Sequence, residues 1–125
     1  MTKKILIIDD DKIFSKILRD GLTAGGKGEY EVTSAFDGEE GFGIAEREKP
    51  DLIMLDLVMP KLGGIDFLKK LREEEWGKNI PVIVETQLSD MVSMGEGVAL
   101  AVRGYIVKSD YSLDDILKQV GDILK

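Results

Sequence analysis

What most constrains this chain is a set of short, unbroken apolar runs set between stretches of helical period. Residues 5–8 (ILII), 52–55 (LIML) and 82–84 (VIV) are apolar at successive positions, yet too short to be helices. A strand with one wet face alternates apolar and polar residues. A strand apolar throughout must be covered on both faces, as in the middle of a parallel sheet. The segments between repeat at the helical period. Phe14, Ile17, Leu18, Gly21 and Leu22 fall on one helical face, residues 39–48 make a modest helix, and Ile65, Leu68 and Leu71 mark a third. Pro50 disfavours helix at Lys49 and ends the second of these. Residues 90–100 read as a glycine-interrupted helix, and Leu113, Ile116, Leu117, Val120, Ile123 and Leu124 give the cleanest amphipathic pattern. Residues 30–36 (YEVTSAF) are mixed and residues 105–107 are short, which suits edge strands. The alternation predicts an α/β fold, a doubly wound five-stranded parallel sheet of order 2-1-3-4-5 with helices on both faces.

Composition narrows the chemistry. The 125 residues suit one domain, 1–125, and 43% hydrophobic content is enough for one core. No apolar run approaches the roughly 20 residues of a membrane span, and the start MTKKILII is no signal peptide. Cysteine is absent, which excludes disulfides and thiolate metal sites. That fits a reducing compartment, and a cytoplasmic location is expected. Histidine is absent as well, so no imidazole serves as base, zinc ligand or phosphoryl carrier, and such work falls to Asp, Glu, Lys, Thr or Ser. A formal charge of −7 argues against nucleic acid and favours protein partners or cations.

Right-handed crossovers bring every strand-to-helix loop to one end of such a sheet. Ligands bind there, where the winding reverses, between the first and third strands. Asp9 and Asp10 follow the first strand and Asp56 ends the third, so three carboxylates distant in sequence should converge in one crevice. Unpaired buried anions are strongly disfavoured. A hard divalent cation removes the conflict: Mg²⁺ prefers octahedral oxygen ligands, keeps several waters and commonly binds through one or two carboxylates. Acids after strands also serve as helix caps, and that role is assigned to Asp11. The fourth strand runs into Glu85, Thr86 and Gln87, offering a hydroxyl, and the fifth ends at Lys108, offering an ammonium. A metal, a lysine, a hydroxyl and one free carboxylate are the parts of a phosphoryl-transfer site. The carboxylate attacks as nucleophile to give an acyl phosphate, and the other groups engage the phosphoryl oxygens.

These residues together resemble a known family. An acid pair follows a greasy strand (Asp9, Asp10), a D-x-x-M-P segment comes next (Asp56, Met59, Pro60), and Gly64 lies shortly after it. Thr86 follows an apolar strand, and Gly-Tyr-x-x-Lys (Gly104, Tyr105, Lys108) closes the set. Over nearly its full length the chain resembles the receiver domain of two-component response regulators, the CheY-like family. The resemblance implies that Asp56 is the phosphoacceptor. It implies that Asp10, Asp56 and the Val58 carbonyl ligate Mg²⁺ directly, with Asp9 acting through water. Thr86 and Lys108 would contact the phosphoryl group. Phosphorylation would draw the Thr86 hydroxyl inward, Tyr105 would follow from exposed to buried, and the surface of the fourth and fifth helices would shift to control partner binding. The implied donor is a phosphohistidine on a histidine kinase or phosphotransfer protein. The expected output is contact with a downstream protein, without direct nucleic-acid or membrane binding. Such a chain is a phosphoacceptor rather than an enzyme.

Three residues depart from the family pattern. Gln87 stands where a small residue usually follows the switch Thr, and its bulk is expected to screen the phosphoryl group. Ser109 replaces a proline commonly preceded by a cis peptide, and a non-proline cis bond costs roughly 3–4 kcal/mol. The loop is therefore either trans or strained. Glu85 adds a charge near the switch, for which the sequence offers no physical account. Competing readings are a receiver-like interaction scaffold that is never phosphorylated, a flavodoxin-like cofactor binder, and an aspartate-nucleophile phosphatase. A flavin phosphate needs hydroxyls and amides rather than carboxylates after the first strand. The phosphatases usually carry a second acid two residues beyond the first, where this chain has Val58.

Overall fold

Each unbroken apolar run is a central strand. The computed structural model describes residues 2–87 and 102–125. Along these the chain forms β1 (Lys3–Ile8), α1 (Lys12–Gly25), β2 (Tyr30–Ala35), α2 (Gly38–Glu48), β3 (Leu52–Asp56), α3 (Gly64–Glu73), β4 (Val82–Thr86), β5 (Gly104–Val107) and α4 (Leu113–Ile123). All neighbouring strands pair in parallel, in the order β2-β1-β3-β4-β5. The helix expected over residues 90–100 lies outside the described residues.

The strands alternate their side chains between two cores. Leu6, Ile8, Ile53, Leu55, Val82 and Val84 face α2 and α3, where they pack on Phe42, Phe67, Leu68 and Leu71. Ile5, Ile7, Leu52, Met54, Ile83 and Ile106 face the other way, onto Phe14, Leu18 and Leu22 of α1 and Ile116 and Val120 of α4. Every residue of β3 is buried, whereas β2 and β5 leave partly exposed positions, as edge strands do. Burying one such aliphatic side chain contributes roughly 1.5–3 kcal/mol, so the two cores dominate stability.

Caps fix where the helices begin. The Asp11 carboxylate accepts hydrogen bonds from the Ile13 and Phe14 N–H groups at 3.1 and 3.0 Å, which satisfies two of the orphan donors of α1. Asp37 caps α2 through the Glu40 N–H at 2.8 Å. Pro50 has its effect one residue earlier, where Lys49 ends α2 in the left-handed region at φ 47°.

The loop after β3 is tightly folded. Lys61 and Leu62 both take positive φ, 50° and 77°. A Cβ on Gly64 would sit 2.5 Å from the Asp56 carbonyl oxygen and 2.6 Å from the Leu57 Cα. Only glycine lets α3 begin directly against the end of β3, and the Gly64 N–H donates to the Leu57 carbonyl at 3.0 Å. Among the described residues no peptide is cis, so the loop at Ser109 takes the trans alternative.

Candidate functional site

The same alternation that builds the core delivers four charged side chains to one edge of the sheet. Asp9 continues the series Ile5 and Ile7, Asp56 continues Leu52 and Met54, Glu85 follows Ile83, and Lys108 follows Ile106. All four therefore leave the carboxyl end of the sheet on the face covered by α1 and α4. Asp9 and Glu85 are fully buried, and Asp56 is buried apart from a small exposed edge. Lys108 lies among them. Its ammonium donates to Asp9 Oδ1 at 2.9 Å and to Asp56 Oδ2 at 3.1 Å. Asp9 Oδ2 is as near, 2.8 Å from Nζ, but has only charge contact because no hydrogen bond is aimed at it.

Backbone donors fix the two aspartates. Asp9 Oδ1 accepts from the Asp11 N–H at 2.9 Å, and Asp56 Oδ1 accepts from the Val58 N–H at 3.1 Å. Asp10 is exposed. One carboxylate oxygen from each of Asp9, Asp10 and Asp56 nevertheless lies within 4.8 Å of the others. This donor set of hard oxygens fits a hard divalent cation. The unbonded Asp9 Oδ2 and the excess of anions over the one ammonium are what such a cation would resolve.

Crowding shows in the proton affinities. Burial pushes the Asp56 carboxyl up to about 7, and the negative charge of Asp9 adds to the effect, against the opposing Val58 N–H and Lys108 charge. For Lys108, burial works against the ammonium, but the hydrogen bond to Asp9 and the charges of Asp9, Asp56 and Glu85 outweigh it, raising the group to about 12. Burial, reinforced by the Asp9 charge, holds Glu85 well above the ordinary carboxylate range.

Of the residues singled out in the sequence, Asp9, Asp10, Asp56 and Lys108 are brought together, and Val58 reaches the cluster through its backbone. Thr86 ends β4 opposite Val107, while its hydroxyl lies outside the described groups. Tyr105 stands apart on β5, 50% exposed. Gln87 is exposed just beyond β4. Glu85 is the member of the cluster that hydrophobicity does not reveal. Hydrophobicity ends the fourth strand at Val84, yet the ladder continues and pairs Asp56 with Glu85. The period-two step from Ile83 was the available signal.

The fold and this cluster define a CheY-like receiver domain. The chain belongs to the response regulator receiver domain family, whose model matches residues 5–120. It is 39% identical to the probable transcriptional regulator ycf27 of Porphyridium aerugineum, over 98% of this chain and 48% of that protein. It is 36% identical to the alkaline phosphatase synthesis transcriptional regulatory protein PhoP of Bacillus subtilis, over 100% of this chain and 50% of that protein. The chain thus spans about half the length of the curated relatives it matches. The solved chemotaxis protein CheY4 of Vibrio cholerae superposes with a TM-score of 0.87 at 28% identity, over 99% of this chain and 100% of that one.

Proposed function

We propose that this chain accepts a phosphoryl group on Asp56 from a phosphohistidine of a partner histidine kinase or phosphotransfer protein, in a Mg²⁺-dependent reaction. The observation that carries the reading is Lys108 bridging Asp9 and Asp56, with Asp10 at the rim of the same crevice. An Asp56 carboxylate oxygen attacks phosphorus, an O–P bond forms, and the P–N bond to the donor imidazole breaks. The imidazole leaves with the electron pair and takes up a proton. The Val58 N–H already holds Oδ1 of Asp56, which leaves Oδ2, now against Lys108, as the attacking atom. Lys108 then follows the transferred oxygens, and Thr86 supplies a hydroxyl to one of them. Asp10, Asp56 and the Val58 carbonyl would hold the cation, with Asp9 acting through water. When bound, the ion supplies positive charge against the phosphoryl oxygens.

The readout is a population shift of the Thr86 and Tyr105 pair. Tyr105 is half exposed, which supports this reading. With Tyr111, Asp115 and Gln119 it lines a groove of about 210 Å³ between β5 and α4. This is the surface proposed to meet a downstream protein. The relatives quoted are transcriptional regulators. Here the receiver is proposed to act through protein contacts, since a net charge of −7 opposes direct approach to a phosphate backbone. Residues 1–125 are proposed to act as one receiver unit, in the cytoplasm, as an acceptor rather than a turnover enzyme. No helix among the described residues is long and apolar enough to cross a membrane.

Incubation with a small acyl phosphate and Mg²⁺ tests the reading. Intact mass should show one labile phosphoryl adduct, absent in Asp56→Asn. A scaffold or a flavin binder would show none, and a phosphatase would turn the donor over rapidly.

A further inference from the structure

Glu85 is unused by the chemistry above. It is wholly buried, and among the described residues no donor bonds either carboxylate oxygen, its side-chain neighbour there being the Asp9 carboxylate. A buried acid left this way costs stability. A residue that did no more than fill the space under Asp9 would be better apolar, like Val84 and Ile83 beside it. Its position suggests what the acid is for. Glu85 pairs with Ile106 across β4 and β5, and Lys108 lies two residues beyond Ile106 on the same face. Side chains so placed on neighbouring strands are diagonal neighbours, within reach of a lysine.

The ammonium of Lys108 meanwhile holds two of the three carboxylates that would serve a divalent cation. It holds Asp9 and Asp56 together, with its own side chain only 7% exposed. Cation entry therefore displaces Lys108 from at least part of its present contacts. In a buried setting an ammonium without a partner is costly, so where it goes sets how readily the site loads.

We propose that Glu85 is a positioning residue: its two carboxylate oxygens take up the Lys108 ammonium when a divalent cation engages Asp9 and Asp56. Loading the site is then an exchange of partners in which no buried charge is left alone. The cost is a metal-free state in which a buried acid has another carboxylate, Asp9, rather than a cation beside it. Its benefit is tighter cation binding. The inference rests on the cation-dependent reading given above.

The test compares wild type with Glu85→Gln, of the same shape, and Glu85→Leu, which is apolar. Mg²⁺ affinity is measured by calorimetric titration, and melting temperature in a chelator. Both variants should bind Mg²⁺ about tenfold more weakly, the loss expected when one buried charged partner is removed. Glu85→Leu should nonetheless melt higher than wild type without metal. A residue that only fills space would shift melting and leave affinity alone. Mg²⁺ affinity within twofold of wild type in both variants, or tighter binding, overturns the assignment. A wild-type chain that binds no Mg²⁺ instead overturns the reading under Proposed function, so the two failures are distinct.

Discussion

Replacing Lys108 with Met probes the centre of the site, because it removes the ammonium and keeps most of the side-chain volume. Lys108 holds Asp9 at 2.8 Å and Asp56 at 3.1 Å, with all three side chains nearly buried. At an effective dielectric of about 20, each contact is worth roughly 5 kcal/mol of Coulomb attraction. Most of that returns when the ammonium no longer needs desolvating and a carboxylate can take up a proton. The remainder should sit near the low end of the range for breaking a buried pair, about 3 kcal/mol. For a domain of this size that is a fall in melting temperature on the order of 10 °C in chelator at pH 8. Mg²⁺ should close the gap, since a divalent cation neutralises the same two carboxylates and no longer competes with an ammonium for them. Thermal melts of wild type and Lys108→Met, each with chelator and with saturating Mg²⁺, give the four numbers needed. Equal deficits with and without Mg²⁺ would mean that lysine and cation do not share these carboxylates, and would refute the reasoning.

Asp56 remains protonated in the metal-free folded chain up to about pH 7, while its unfolded reference is 3.8. Between those values the unfolded state binds fewer protons, so this group's contribution, full below 3.8, is lost as pH rises toward 7, by at most about 1.4 kcal/mol per unit. The difference between wild-type and Asp56→Asn unfolding free energies in chelator should fall along that slope, and a flat difference would deny the shift. Gln87→Ala should alter the lifetime of the aspartyl phosphate, read by intact mass against time; an unchanged lifetime means that Gln87 does not screen the group. Asp11→Ala removes the acceptor for two α1 N–H groups and should cost about 1 kcal/mol by urea denaturation, with the acyl-phosphate adduct still forming. Gly64→Ala places a methyl 2.5 Å from the Asp56 carbonyl oxygen. It should destabilise the chain by about 1–3 kcal/mol in the same assay and slow phosphorylation, because the end of β3 must shift.

Much of this architecture could be read from hydrophobicity because both faces of the sheet are covered. With no wet face, residues 5–8 and 52–55 had to be central, and the mixed run at 30–36 had to be an edge, which leaves few strand orders. Asp9, Asp10, Asp56 and Lys108 followed from that order, since each stands at the end of a strand that the topology points to one edge. What hydrophobicity could not carry was the residue at which a strand stops. It places Asp56 at the end of the third strand but ends the fourth at Val84, because a charge looks like an exit from the core, whereas the hydrogen-bonded ladder runs on and pairs Asp56 with Glu85. A charge alone does not end a parallel strand. It ends when its backbone donors and acceptors lose their neighbours, and here β3 and β4 keep each other paired one level above the last apolar residues.

That extra level explains why the site is made of buried acids. Had the ladder stopped one level lower, Asp56 and Glu85 would stand in loops, solvated and free to turn away from Asp9. Held in the ladder, they are committed to one face by the two-residue period, and Ile83 and Met54 beneath them close off water from below. The backbone thus fixes the direction of the carboxylates before any electrostatic preference acts, and the chain must then answer their repulsion with a cation. Lys108 is the internal answer, and it reaches both Asp9 and Asp56. A divalent ion is the external one, drawn to the same carboxylates. The competition between them follows from the register of β3 on β4, so any substitution that frees the ladder at Asp56 and Glu85 should weaken both at once.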